Sequence, residues 1–123
     1  MIKNILLVGL GGGIGSMARY LCQKWFADTF QHPIPWATFT VNIIGCFAIG
    51  IFWGLSFKSF AANEYWKLLL MTGLCGGFTT FSAFTLEGIG LIKEQRLALF
   101  FSYVAASVVL GLLATFIGMK ITR

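Results

Sequence analysis

Polar side chains that could handle a partly dehydrated ion lie inside apolar stretches of this sequence. Thr38 and Asn42 are one helical turn apart in one stretch, and Tyr103 and Ser107 have the same spacing in another. A carboxamide left unsatisfied in hydrocarbon costs several kcal/mol, so Asn42 should face protein or water. The spacing therefore predicts two polar stripes, which serve either hydrogen bonding between helices or a hydrated pathway.

Aromatic and acidic side chains share a face in a further apolar stretch. Phe81, Phe84 and Glu87 follow one another at intervals of three residues and project toward one side of a helix. Because the edge of an aromatic ring carries partial positive charge, the two rings could meet an anion edge-on; the alternative is packing or lipid contact. Glu87 is the only acidic residue well inside an apolar stretch, which makes it a functional candidate.

Arg19 lies about two turns before the end of the first apolar stretch. Its long side chain could reach back to the lipid headgroups. Alternatively, it could place a fixed positive charge at the mouth of an anion pathway. The sequence leaves both interpretations open.

The stretch at 73–84, in the middle of the third apolar segment, is unfavourable for a continuous helix. The glycines at 73, 76 and 77 each lower helix propensity by about 1 kcal/mol relative to alanine. Four hydroxyl residues between 79 and 85 offer the backbone competing partners. We therefore predict that the third span unwinds here. At membrane depth this is tolerated only where protein, water or an ion satisfies the freed backbone groups.

The elements that must position these residues are transmembrane helices. Of the 123 residues, 58% are hydrophobic and 11% charged, well outside the averages of soluble proteins. Four apolar runs, at about 5–26, 36–57, 67–92 and 97–121, each exceed the ~20 residues needed to cross a bilayer. We predict an all-α integral membrane protein, one four-helix unit over 1–123 with its third helix broken in the middle. The first helix is expected to be retained rather than cleaved as a signal peptide.

Lysine and arginine are almost evenly divided between the two ends of these helices. If both termini lie on one side, that side holds five of the nine basic residues and the other side holds four. Orientation normally follows the asymmetry of basic residues in short loops, so a balanced chain could insert both ways and pair as an antiparallel dimer. The net charge of +5 is scattered over helix ends, so its expected partner is the lipid bilayer and not nucleic acid.

Residue patterns typical of enzymes and metal sites are not found. Cys22, Cys46 and Cys75 have no disulfide or zinc spacing, and His32, the only histidine, is expected at the surface of a short loop. No Ser/His/Asp set or phosphate-binding loop is present, so the sequence predicts that the protein is not an enzyme.

The glycine-rich segment of the first span imitates a dinucleotide fingerprint. Gly13-x-Gly15-x-x-Ala18 follows an apolar run, but no alternation of strand and helix surrounds it and no acidic residue follows at the required distance. We instead expect Gly11 and Gly15, four residues apart on one face, to let another helix approach closely.

Three motifs give the chain a resemblance to a known family. They are Gly-Gly-Phe-Thr-Thr-Phe-Ser-Ala-Phe at 76–84, Thr-Val-Asn-Ile-Ile-Gly at 40–45 and Gly-Gly-Ile-Gly-Ser-Met-Ala-Arg-Tyr at 12–20. With them the chain resembles the Fluc (CrcB) family of fluoride channels over all of its spans. The resemblance implies a multi-pass protein of the bacterial inner membrane that exports fluoride passively and protects against fluoride toxicity.

The resemblance also implies an assembly, a bound ion and site residues. Family members are dual-topology antiparallel homodimers with a fluoride pathway on each side and a structural sodium ion on the two-fold axis. By motif position, the carbonyls of Gly76 and Thr79 would hold the sodium, and we expect any replacement of Gly76 to disturb the backbone torsions there. Ala83 stands where the family commonly has threonine. The implied fluoride pathway comprises Asn42, Phe81, Phe84, Tyr103 and Ser107. To these the residue patterns described above add Thr38 and Glu87 as pathway residues and Arg19 as the charge of its vestibule.

Two other classes of protein compete with this interpretation. A small dual-topology proton-coupled efflux transporter would be organised around a membrane glutamate, which Glu87 could supply, but it would not need a broken third helix. A purely structural membrane subunit would explain the glycines but not the polar stripe at Asn42.

Overall fold

The computed structural model describes residues 1–30, 34–58 and 63–122, and all regular elements in these ranges are helices. Four spans are long and apolar enough to cross a membrane, by length and composition. In chain order the elements are α1 (Ile2–Thr29), α2 (Trp36–Leu55), α3 (Glu64–Trp66), a π-helix (Lys67–Cys75), α4 (Gly76–Phe78), α5 (Ser82–Lys93) and α6 (Leu97–Ile121). The third span is the composite segment from α3 to α5. The predicted all-α membrane fold is confirmed, while the predicted loop position of His32 lies outside the described residues.

α1 packs against the first half of the third span through glycine. A Cβ atom built on Gly11 would overlap the carbonyl oxygen of Leu69, and one on Gly15 would likewise overlap a carbonyl oxygen of that span. On the facing side, a Cβ atom on Gly77 would overlap the carbonyl oxygen of Gly12. The two backbones therefore touch directly, and the close approach predicted at Gly11 and Gly15 is confirmed.

α2 packs against α6 in the same way. A Cβ atom on Gly50 would overlap the carbonyl oxygen of Thr115, and one on Gly118 would overlap that of Phe47. The Thr115 hydroxyl also donates a hydrogen bond to the Cys46 carbonyl at 3.0 Å. The fold thus consists of two parallel helix pairs, and the polar residues lie where the pairs meet.

Residues 79–81 interrupt the third span. Thr79 has extended torsions, with φ −87° and ψ 159°. Hydroxyl groups bind both helix ends: Thr79 Oγ1 donates to the Cys75 carbonyl at 2.9 Å, and Thr80 Oγ1 accepts from the Ala83 N–H at 3.1 Å. The predicted unwinding is confirmed, and the hydroxyl residues mark its position.

The glycines before the break have helical torsions, so they do not cause the unwinding through unusual backbone conformations. No glycine in the described residues has positive φ. Gly76 has φ −61° and ψ −39°, and a Cβ atom there would meet nothing within 4 Å. The prediction that any replacement of Gly76 disturbs the backbone torsions is therefore wrong for the single chain, because these torsions suit every L-residue. Gly77 is required instead by its contact with α1.

The outward surface of the spans is apolar and the interior is small. Thr38 and Val41 are the largest fully buried side chains. Large exposed apolar side chains lie along every span and include Leu10, Trp53, Leu86, Leu112 and Phe116. An outer surface of this composition fits contact with lipid.

Candidate functional site

Both polar atoms of the Asn42 carboxamide bind the backbone of the helix break. Asn42 Oδ1 accepts the Thr80 N–H at 2.8 Å, and Asn42 Nδ2 donates to the Thr80 carbonyl at 3.0 Å. The side chain thereby pairs with one residue of extended chain much as a neighbouring strand would. The sequence predicted that Asn42 faces protein or water, and its partner is the unwound backbone.

Two carbonyl groups at the break lose the donors that a continuous helix would provide. The Thr80 N–H, which would reach the Gly76 carbonyl, donates to Asn42 instead. The Ala83 N–H, which would reach the Thr79 carbonyl, donates to the Thr80 hydroxyl. Both carbonyls belong to residues that line an open groove. Main-chain oxygens freed in this way are the ligands that a hard cation prefers, so these residues fit the predicted sodium ion.

The guanidinium of Arg19 also reaches the break. Its Nε atom donates to the Gly77 carbonyl at 3.0 Å. This carbonyl lies in the last helical turn before the break, where the helix dipole favours a positive charge. The side chain thus binds the third span itself, a contact that neither interpretation of the sequence included. A role of Arg19 in an anion vestibule stays a prediction.

Three aromatic rings form a row from the break into the protein. The ring centroids of Phe81 and Phe84 are 5.8 Å apart, and those of Phe84 and Tyr103 are 5.1 Å apart. Phe81 is 76% exposed in the single chain, Phe84 is half-buried, and Tyr103 is buried. The structure therefore brings together three of the residues that the sequence singled out.

In the described part of the chain, four buried side-chain atoms lack a hydrogen-bond partner. They are Thr38 Oγ1, Glu87 Oε1, the Tyr103 hydroxyl and Ser107 Oγ. Glu87 lies beside Thr38 and Tyr103, which places three of the four groups together. The Thr38 and Tyr103 hydroxyls are near enough to interact with the Glu87 carboxyl group, but none of the four atoms has a partner within hydrogen-bond distance. Buried polar groups are almost always paired in folded proteins, so this loose cluster requires an explanation. Water or a passing ion in this region would provide the missing partners.

Within the described ranges, two cavities are lined by most of the predicted site residues, though not by Arg19 or Tyr103. The larger is a groove of about 470 Å³, lined by residues that include Asn42, Gly76, Thr79, Phe81, Phe84 and Ser107. The smaller is a pocket of about 380 Å³, with Thr38 and Glu87 in its wall. Tyr103 lies between them, since it contacts Phe84 of the groove and lies beside Glu87 of the pocket. The site residues thus form one series from the pocket to the groove.

Thr80 is the organising residue that the sequence interpretation missed. Its backbone pairs with Asn42, and its hydroxyl caps α5 through the Ala83 N–H. A threonine pair shortly after two glycines in an apolar span, with Phe78 between them, was the available signal. The partner of each threonine, however, depends on how α2 crosses the third span.

Four apolar spans, a helix broken at mid-length and polar residues along two cavities define a multi-pass membrane protein built around an unwound helix. The chain belongs to the CrcB-like protein, Camphor Resistance (CrcB) family, whose family model matches residues 6–119.

Several relatives are similar over nearly their whole length. One from Flavobacterium psychrophilum, named fluoride-specific ion channel FluC, is 45% identical over 122 residues, which cover 99% of this chain and 98% of the relative. A relative of the same name from Leptospira interrogans is 42% identical over 117 residues, covering 95% and 92%. Another from Rhizobium etli is 45% identical over 118 residues, covering 96% and 94%.

Proposed function

We propose that this protein is a fluoride-selective ion channel that passively exports fluoride across the bacterial inner membrane and protects the cell against fluoride toxicity. The observation that carries the proposal is the series of buried polar atoms at Thr38, Glu87, Tyr103 and Ser107, none of which has a partner within hydrogen-bond distance. The names of the full-length relatives supply the identity of the ion. A channel of this kind is not an enzyme, because the ion leaves chemically unchanged.

The residues of the groove offer a small anion replacements for its water shell. The Ser107 hydroxyl can donate, and Asn42 keeps one N–H beyond the one that binds Thr80. The edges of Phe81 and Phe84 present partial positive charge to an anion. Selectivity follows because a small anion fits between ring edges and donors where a larger halide would not.

Passive export requires only the membrane potential. HF crosses membranes in its neutral form and ionises in a less acidic cytoplasm, and an inside-negative potential then expels the anion. A potential of ~100 mV is worth ~2.3 kcal/mol per charge, which sustains a concentration ratio of roughly 50-fold. No coupling to another ion is needed.

The working unit in this proposal is an antiparallel homodimer with a structural sodium ion on its two-fold axis. Gly76 and Phe81 are exposed in the single chain, on the groove that a second copy would cover. The carbonyls of Gly76 and Thr79 from both chains would hold the sodium, whose charge would stabilise the assembled break. The nearly even division of basic residues supports insertion in both orientations.

The experiment that tests the channel is ion efflux from liposomes that contain the purified protein. With a potassium diffusion potential and no pH gradient, fluoride should leave rapidly while chloride is retained. Vesicles that lose chloride as fast as fluoride would contradict the proposal.

The orientation of the chains can be tested separately. Accessibility labelling of the C-terminus in cells should find it on both sides of the membrane, and adding three or four lysines to one loop should force one orientation and abolish activity. A C-terminus found on one side only would contradict the antiparallel dimer.

Glu87 supports a second candidate, a small dual-topology proton-coupled efflux transporter. Its carboxylate is half-buried, and its Oε1 atom lacks a partner. Coupled transport would respond to an imposed pH gradient at zero potential, and Glu87→Gln would abolish that response. Fluoride efflux that follows the potential, and not the pH gradient, excludes this candidate.

A further inference from the structure

The pairing of Asn42 with Thr80 controls which backbone groups at the break are free. In a continuous helix the Thr80 N–H would donate to the Gly76 carbonyl. Here it donates to Asn42 Oδ1 at 2.8 Å, and Asn42 Nδ2 holds the Thr80 carbonyl at 3.0 Å. A carboxamide can accept from an N–H and donate to the C=O of the same residue through its two terminal atoms.

We propose that Asn42 is a positioning residue that keeps the third span unwound and so keeps the Gly76 carbonyl available to the cation. This inference rests on the proposed sodium ion. Without Asn42, the Thr80 N–H is free to bond the Gly76 carbonyl and to extend the helix across the break. The bond to Asn42 therefore competes directly with closure of the helix.

The packing around Asn42 holds it in register with the break. One turn further along α2, a Cβ atom on Gly45 would overlap the Thr79 side chain, so α2 also lies close to the break beyond Asn42. Asn42 and Thr80 are both half-buried, which favours their pairing because water competes less for the donors and acceptors. The Asn42 side chain thus reaches Thr80 from a rigid helix at short range.

This function differs from that of an anion ligand. The Oδ1 atom of Asn42 and one of its Nδ2 N–H groups bind the backbone of Thr80, and the second N–H remains for an anion. Substitution of an anion ligand should change fluoride flux alone. Substitution of a positioning residue should also change how strongly sodium stabilises the protein.

The test measures the melting temperature of the purified protein over a series of sodium concentrations, with choline as the replacement cation, beside fluoride flux. Asn42→Leu keeps the number and branching of the side-chain heavy atoms and removes both hydrogen bonds. Asn42→Asp keeps the acceptor for the Thr80 N–H. Ser107→Ala is the matched control, because it removes a groove hydroxyl that does not touch Thr80.

We expect the sodium concentration at half-maximal stabilisation to rise at least about tenfold in Asn42→Leu and by less in Asn42→Asp. Ser107→Ala should lose flux and keep the wild-type sodium response. An unchanged sodium response in Asn42→Leu would overturn the inference. If that variant does not fold, Asn42→Ala, which also removes both hydrogen bonds, takes its place, and an unchanged sodium response there would overturn the inference. A wild-type protein that does not respond to sodium would overturn the proposed cation together with this inference, while its fluoride flux would still decide the channel function.

Discussion

The two halves of the third span differ in what holds them. Before the break, glycine lets the backbone lie directly against α1, and a Cβ atom on Gly77 would overlap the Gly12 carbonyl oxygen. After the break, α5 has looser neighbours, since a Cβ atom on Gly88 would come no closer than 3.4 Å to the Phe100 ring. The same half places Phe84 in the groove wall and Glu87 in the pocket wall. One helix thus supplies a fixed support before the break and the proposed pathway after it.

This difference shows what an unwound helix can contribute. A continuous helix would bond its own carbonyls and leave none for a ligand. The break frees the Gly76 and Thr79 carbonyls, and the side chains of Asn42 and Thr80 take up the displaced N–H groups. The contacts with α1 therefore lie before the break, the freed carbonyls lie at it, and Phe84 and Glu87 follow it, so substitutions before and after the break should fail differently.

The largest effect is expected where α1 touches the support half. Gly15→Ala places a methyl group against the backbone of the third span, so the helices must separate, at a cost of ~1–3 kcal/mol or more. The expected result is a lower yield and a lower melting temperature. Gly13→Ala is the control, since a Cβ atom there meets nothing within 4 Å. Equal stability of the two variants would contradict the backbone contact.

Arg19→Gln should have the next largest effect, because it removes a charged hydrogen bond to the Gly77 carbonyl. Hydrogen bonds to charged groups contribute about 1.5–3 kcal/mol, and we expect a loss of that order in the free energy of unfolding. Arg96→Gln is the control, because its ion pair with Glu94 is solvent-exposed and worth less than about 1 kcal/mol. An Arg19→Gln protein as stable as Arg96→Gln would show that the contact does not support the break.

Gly76→Ala should have the smallest effect on the single chain, because a Cβ atom there meets nothing within 4 Å. In the proposed dimer the added methyl group faces the second copy, so we expect weaker dimerisation on size-exclusion chromatography at low protein concentration. Gly90→Ala, also without neighbours within 4 Å but outside the groove, should dimerise normally. Identical dimerisation of both variants would indicate that Gly76 does not face a partner.

The spans, the break in the third span and the polar site residues could be predicted from the sequence. Apolar runs locate the spans because crossing a bilayer requires length and apolarity, and the hydroxyl residues after Gly77 locate the break because they compete for backbone bonds. Polar residues inside spans identify the site because burying them without a partner is costly.

The specific partners could not be predicted. The bonds of Arg19 to Gly77 and of Asn42 to Thr80 join residues 58 and 38 positions apart, and each depends on the exact register of two packed helices. The π-helix Lys67–Cys75 has no composition signal in this sequence, and it shifts the register of the whole support half. The ordinary torsions of Gly76 were hidden because glycine suits both helical and unwound backbone.

The most direct test of the account applies one substitution on each side of the break. Phe78 precedes the break and lies 3.6 Å, through its ring, from the position of a Cβ atom on Gly45, whereas Phe84 follows it in the groove. Fluoride efflux and melting temperature should be measured for Phe78→Ile and Phe84→Ile in the same liposome system. Phe84→Ile should lose most of its flux and keep a stable dimer, while Phe78→Ile should lose stability and keep its flux per folded protein. Wild-type fluoride flux in Phe84→Ile would contradict the account, because the phenylalanines after the break would then serve packing alone.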